Sequence, residues 1–188
     1  MSTLLGIALG TAVALLVAAS MEPWARFLHG RVWHHSLWRV HRSHHTKRRG
    51  RFEANDVLSA AHAPVAAALV MIGCNLHGPV AAIAIGIGAG MTVFGLAYVT
   101  VHDGLVHGRL PVRFLARVRW LKRVRDAHAV HHARGAQPYG FFLGARELTR
   151  TPPARGVRPT ARRPPDRAPA SRRDKQPDGA RRSAVETP

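Results

Sequence analysis

The chain has 188 residues, a formal charge of +18, 46% hydrophobic residues, 13 histidines and one cysteine. That length suits one domain, or one domain with a tail, and a lone Cys74 excludes a disulfide framework, a cysteine-based zinc site and an iron–sulfur cluster. The charge points first to nucleic acid or an anionic membrane surface. The mean hydropathy of −0.09 hides the fact that charged and apolar residues occupy different stretches.

In chain order, residues 4–19 carry no charge and, with their flanks, approach the ~20 residues that cross a ~30 Å hydrocarbon core. A cleaved signal peptide would begin with basic residues; here the first is Arg26, after the apolar run, so a retained span is expected. Residues 22–56 hold eight Lys and Arg, and residues 57–77 form a second uncharged run, interrupted by His62, Pro64 and Asn75. A third run, residues 79–101, is rich in Gly and Ala, with Gly86, Gly90 and Gly95 as small residues for close helix packing. Any one run suits a soluble core helix; three within about a hundred residues read as membrane spans. The hairpin at residues 75–79 has no Lys or Arg, whereas twenty follow Val101. The positive-inside rule then puts both basic regions in the cytoplasm, with the N-terminus and the hairpin outside. Residues 114–121 mix apolar residues with arginines and suggest a fourth, interfacial or re-entrant segment.

Residues 151–188 contain eight prolines, nine Arg and one Lys against four acids, with Val157 and Val185 as the only large apolar side chains. Such a segment buries too little surface to offset its ordering entropy and is expected to be disordered. With no aromatic for base stacking and no nucleic-acid module attached, it reads as a solubilising or membrane-surface arm, and no nucleic-acid partner is expected. The expected organisation is a membrane domain over residues 1–150 and a basic Pro/Arg-rich tail over residues 151–188.

Ten histidines form a duplicated pattern, H-x4-H followed by H-x2-H-H. The first copy is His29 and His34, then His41, His44 and His45; the second is His102 and His107, then His128, His131 and His132. Helical spacing i, i+3, i+4 lets each triplet point three imidazoles at one place. Five residues turn an α-helix through about 500°, leaving an H-x4-H pair some 140° apart; that pair suits two metals, a helix end or a bulge. Ten imidazoles divide naturally between two metal ions, and iron, zinc, copper and nickel all accept this ligand. Residues 1–150 contain six acids, four of which, Glu53, Asp56, Asp103 and Asp126, lie beside the motifs. Carboxylates there can take the second N–H of a ligating histidine, or merely neutralise nearby arginines. His35, His62 and His77 stand outside the pattern and read as structural. The expected fold is an all-α integral membrane bundle of three to four transmembrane or interfacial helices with a cytoplasmic histidine-rich di-metal site.

These blocks, with Phe52-Glu53-Ala54-Asn55-Asp56, Val101-His102-Asp103-Gly104-Leu105-Val106-His107 and Leu37-Trp38-Arg39-Val40-His41-Arg42-Ser43-His44-His45, resemble the bacterial β-carotene hydroxylases. Those enzymes belong to the fatty acid hydroxylase/sterol desaturase superfamily of membrane di-iron proteins. The resemblance covers roughly residues 20–148; His35 in place of a usual glycine and Gly30 in place of a basic residue depart from it without removing a histidine. It implies a non-haem di-iron monooxygenase whose two irons are held by the ten histidines and use O2 to hydroxylate C3 of each β-ionone ring. β-Carotene would pass through β-cryptoxanthin to zeaxanthin, with electrons from a reduced ferredoxin-type donor. Glu53, Asn55, Asp56, Asp103 and Asp126 are then candidates for orienting ligands or lying near substrate. The rivals are a ketolase, a sterol or fatty-acid hydroxylase or a desaturase on the same scaffold, and a non-enzymatic metal carrier. A carrier should line its spans with polar ligands, and these spans offer few.

Overall fold

The computed structural model describes residues 1–46, 50 and 52–150, except the side chains of residues 149 and 150, and all fall within the unit Met1–Pro152. Every regular element among them is helical, as expected. The tail of residues 151–188 lies outside the described residues.

Helix α1 (Thr3–Phe27) starts at Ser2, whose hydroxyl accepts from the Leu5 N–H at 3.3 Å, the usual way a serine satisfies a free helix-end donor. It continues without a break into a π-helical turn, Leu28–Trp33. Helix α2 (Trp38–His45) carries the first histidine triplet. The short α3 (Asp56–Ala60) leads into α4 (His62–Cys74), and after three intervening residues α5 (Gly78–Tyr98) begins with Pro79 in its first turn. Proline is tolerated there because its missing N–H would lack a helical partner anyway. Helix α5 also runs on into a π-helical segment, Val99–Val106. A 3-10 turn (Arg113–Arg117) precedes α6 (Arg119–Arg134), which carries the second triplet and ends at the left-handed Gly135 (φ 64°); α7 (Gly144–Arg150) follows.

Three continuous helical stretches, Thr3–Trp33, Asp56–Cys74 and Gly78–Val106, are long and apolar enough to cross a membrane. Helix α5 is the central one, packing against α1 on one side and α4 on the other. Its glycines make this possible. A Cβ at Gly86 would sit 2.6 Å from the Gly10 carbonyl oxygen and one at Gly90 2.5 Å from that of Ala14, both on α1. At Gly88 it would meet the Ala66 carbonyl oxygen of α4 at 2.6 Å. Gly95, expected to serve the same packing, faces open space instead and lines a cavity between the helices. The outer faces carry exposed Leu4, Leu15, Leu16, Met71 and Leu96, an apolar surface suited to lipid.

The segment at residues 114–121 forms the 3-10 turn and the start of α6, and its Leu115, Ala116, Trp120 and Leu121 pack onto buried Val101, Leu105 and Val124. Phe114 and Val118 remain exposed. This packing holds α6 against the π-helical end of α5 and so brings the second triplet beneath the spans.

Candidate metal centre

The π-helical segments that continue α1 and α5 and the helices α2 and α6 converge on one cluster of imidazoles. All ten patterned histidines enter it. His29, His34, His41, His45 and His131 each offer a ring nitrogen within 4.8 Å of the others, and His44, His107, His128 and His132 form a second such group. His102 adjoins the second group, its Nε2 3.1 Å from that of His44. His35, His62 and His77 belong to neither; His62 accepts instead from Trp24 Nε1 at 3.0 Å.

The grouping does not follow the repeats. The expectation that each triplet aims three rings at one place is overturned: His41 and His45 join one group while His44 joins the other, and His131 separates from His128 and His132 in the same way. On a helix, position i+4 lies about 40° to one side of i and position i+3 about 60° to the other. A helix lying between two metals therefore serves one with its i, i+4 pair and the other with i+3. Each group is built from four histidines of one repeat plus the middle histidine of the other's triplet.

The H-x4-H pairs are resolved by local winding. The His34 N–H donates to the His29 carbonyl at 3.1 Å and the His107 N–H to the His102 carbonyl at 2.9 Å, both i→i+5 bonds. This π-winding brings residues five apart towards one face, where an α-helix would splay them, and π-segments often mark functional sites. Of the arrangements open from spacing, the bulge is the one adopted.

Hydrogen bonds fix the ring orientations. His29 Nδ1 donates to the Tyr139 carbonyl at 3.0 Å, His131 Nδ1 to the Ala136 carbonyl at 2.8 Å and His41 Nδ1 to Asn55 Oδ1 at 2.7 Å. His102 Nδ1 donates to Asp103 Oδ1 at 2.8 Å, and His44 Nδ1 faces Glu53 Oε2 at 3.4 Å. An imidazole that gives its Nδ1 proton to oxygen presents a lone pair at Nε2. The Nε2 atoms of His44 and His102 then oppose each other as two lone pairs at 3.1 Å. His132 Nε2 meets those of His44 and His128 at 3.1 and 2.9 Å, and His29 Nε2 is buried with no hydrogen-bond partner among the described residues. Convergent ring nitrogens of this kind suit a cation.

A proton is a poor choice. Burial, reinforced by neighbouring imidazoles, pushes His34 and His132 down to about 4, His45 to about 3 and His107 to about 2, and holds His44 well below the ordinary histidine value. Burial also lowers His131 to about 4 despite its hydrogen bond to Ala136. Neutral rings with convergent lone pairs are the donor set of a metal centre, and the side chains present fit two ions.

The carboxylates divide. Glu53 and Asp103 lie against His44 and His102, and Arg109 ties them together at 3.0 Å from Glu53 and 4.0 Å from Asp103. Asp56 binds Arg109 at 2.8 Å and accepts the Glu53 N–H, so it supports Glu53 and has no histidine partner of its own. Asn55 is buried against His41. Asp126 is half-exposed and pairs with Lys122 and Arg125, turned away from the histidines. Arg109, the hub of this network, was not singled out from sequence; its position two residues after the second H-x4-H was the available signal.

Two spaces adjoin the cluster. A void of about 20 Å³ is bounded by histidines of both groups and by Trp33, Tyr98, Tyr139 and Phe141, room for one small molecule. A largely apolar cavity of about 680 Å³ runs between α1, α4 and α5, and Trp33 and Tyr98 border both.

A helical bundle with apolar spans and paired histidine groups defines a class of membrane metalloprotein, and residues 14–147 match the fatty acid hydroxylase family. The chain belongs to that family. Its relatives include a chloroplastic beta-carotene hydroxylase 1 of Capsicum annuum, 48% identical over 73% of this chain and 44% of the relative. A chloroplastic beta-carotene 3-hydroxylase 1 of Arabidopsis thaliana is 47% identical over 73% of this chain and 45% of the relative. A beta-carotene hydroxylase of Pseudescherichia vulneris is 42% identical over 69% of this chain and 74% of the relative. The chain thus spans under half the length of the plant relatives. No solved structure matches it.

Proposed function

We propose that this protein is a β-carotene 3-hydroxylase, an O2-dependent oxidoreductase acting on the β-ionone rings of a lipid-dissolved carotenoid. The observation that carries the reading is the junction of an apolar cavity of about 680 Å³ with two convergent imidazole groups. Similarity to the curated carotene hydroxylases supports the substrate class. Two iron ions held by the ten histidines would supply the activation of O2 needed to place a hydroxyl on an unactivated ring methylene.

The chain's own residues do the remaining work. The cavity between the spans takes an apolar ring directly from lipid, without exposing it to water. Trp33 and Tyr98, shared by the cavity and the small void, orient the ring edge towards the histidines. Tyr98 is held by its 3.2 Å hydrogen bond to Ser59 and by stacking of its ring on Phe141 at 4.4 Å. Glu53, Asp103 and Arg109 keep His44 and His102 presenting Nε2, and Asn55 does the same for His41.

We read the histidine side as cytoplasmic, on the Lys/Arg bias of the sequence. A reduced ferredoxin-type protein is the proposed electron source. The exposed Arg119, Lys122, Arg123 and Arg134 of α6 would attract an acidic carrier, an effect that salt weakens. The test is expression in β-carotene-producing cells with chromatography of the pigments. β-Cryptoxanthin and zeaxanthin are expected; unchanged β-carotene, or canthaxanthin, would overturn the assignment.

A further inference from the structure

Two acids of the membrane domain, Glu22 and Glu147, lie outside the span of the histidine motifs and touch no histidine in the hydrogen bonds described above. Glu22 lies within the first apolar span and is 7% exposed. A carboxylate in such a position is costly and is kept where it has a function. Its Oε1 accepts the backbone N–H groups of Phe141 at 2.7 Å and Leu143 at 2.8 Å, while Oε2 has no hydrogen-bond partner among the described residues. Glu147 accepts the N–H groups of Tyr139 and Gly140, both at 3.0 Å, and meets Arg26 Nε at 3.0 Å. Four backbone donors of one short loop therefore end on two carboxylates, charge-assisted bonds roughly twice as strong as neutral ones.

That loop is the lid of the first histidine group. Its Tyr139 carbonyl takes the His29 Nδ1 proton, and the Ala136 carbonyl just before it takes that of His131. The Tyr139 ring packs on His29, His34 and His131 with centroids 5.2–5.7 Å apart. We infer that Glu22 and Glu147 are positioning residues: they clamp residues 139–143 so that the loop's carbonyls hold His29 and His131 with Nε2 turned into the first group. The second group has Asp103 and Glu53 behind its rings, and the loop touches it only by ring packing of Phe141 on His102 and His128, at centroids of 5.0 and 6.3 Å, so the clamp's hydrogen-bonded carbonyls act chiefly on the first metal position.

The inference rests on the two-metal reading and is tested by metal binding in the purified full-length protein, loaded anaerobically with ferrous iron. Wild type is expected to hold two irons per chain. Glu22→Ala and Glu147→Ala should each weaken one iron by up to about 10-fold, less than the about 10–100-fold that loss of a direct hydrogen-bonding partner costs, with the second iron affected less and the helical circular dichroism unchanged. Glu22→Gln keeps an oxygen that can accept both N–H groups and should restore two irons. Retention of both irons in the alanine variants, equal loss of both, or loss in Glu22→Gln matching that in Glu22→Ala would overturn the clamp. If Glu22→Ala loses helix content, Glu147→Ala at the other end of the loop decides. Wild-type protein that holds two irons but leaves carotene unchanged would refute the hydroxylase assignment and not the clamp; wild-type protein that does not hold two would refute the metal reading itself.

Discussion

The two histidine groups are mirror images in composition and opposites in support. In the first group the Nδ1 protons go to neutral acceptors, the carbonyls of Tyr139 and Ala136 and the amide oxygen of Asn55. In the second, His102 gives its Nδ1 proton to Asp103, and Glu53, linked to Asp103 through Arg109, faces His44 Nδ1 at 3.4 Å. A carboxylate behind an imidazole raises its basicity and strengthens its hold on a metal. The same sequence repeat therefore builds two groups with different support, one backed by anions and one by neutral acceptors; on the two-metal reading the anion-backed position is expected to bind more tightly.

The largest test exchanges the crossing histidines. His44→Ala should abolish carotene hydroxylation and strip iron from the second group, while His131→Ala should strip the first, each read by iron analysis beside pigment chromatography. Retained turnover in both would break the assignment of either residue to a metal. Next in size are the orienting groups. Asp103→Asn should weaken the second position by about 10–100-fold in a chelator titration, and Asn55→Asp should tighten the first by up to about tenfold. Equal responses would erase the distinction between anionic and neutral support.

Acid sharpens the comparison less strongly. Burial lowers His34, His131 and His132 to about 4 in the folded chain, against about 6.5 unfolded. Below 6.5 the unfolded chain binds more protons, so the metal-free protein should keep this stability above pH 6.5 and lose it as pH falls towards 4. A thermal midpoint flat across that window would contradict the neutral, buried rings. Smallest is Asp126→Asn. This carboxylate faces Lys122 and Arg125 at the surface, so iron content should not change and stability should shift by less than about 1 kcal/mol.

Much of this was legible in the chain. Charge-free runs mark the three spans because lipid tolerates little else, and the duplicated histidine spacing marks the ten imidazoles because a metal centre needs many neutral donors at helical intervals. Glu53, Asn55 and Asp103 were visible as neighbours of those motifs, and the structure sets Asn55 and Asp103 in hydrogen bonds to histidines and Glu53 against one; Asp126 looked equivalent and meets none, because its place on α6 turns it to solvent. Adjacency along the chain does not say which face of a helix a side chain occupies once that helix is packed.

What the sequence determined by itself was the inventory: a membrane domain, ten histidines and their division into two repeats. Only the tertiary structure decided how the repeats exchange their middle histidines, since that depends on α2 and α6 lying between two groups. It also decided the π-winding of both H-x4-H pairs and the clamp of Glu22 on a loop more than a hundred residues away. Spacing reports directions around one helix axis; contacts between distant segments arise only when those axes are brought together.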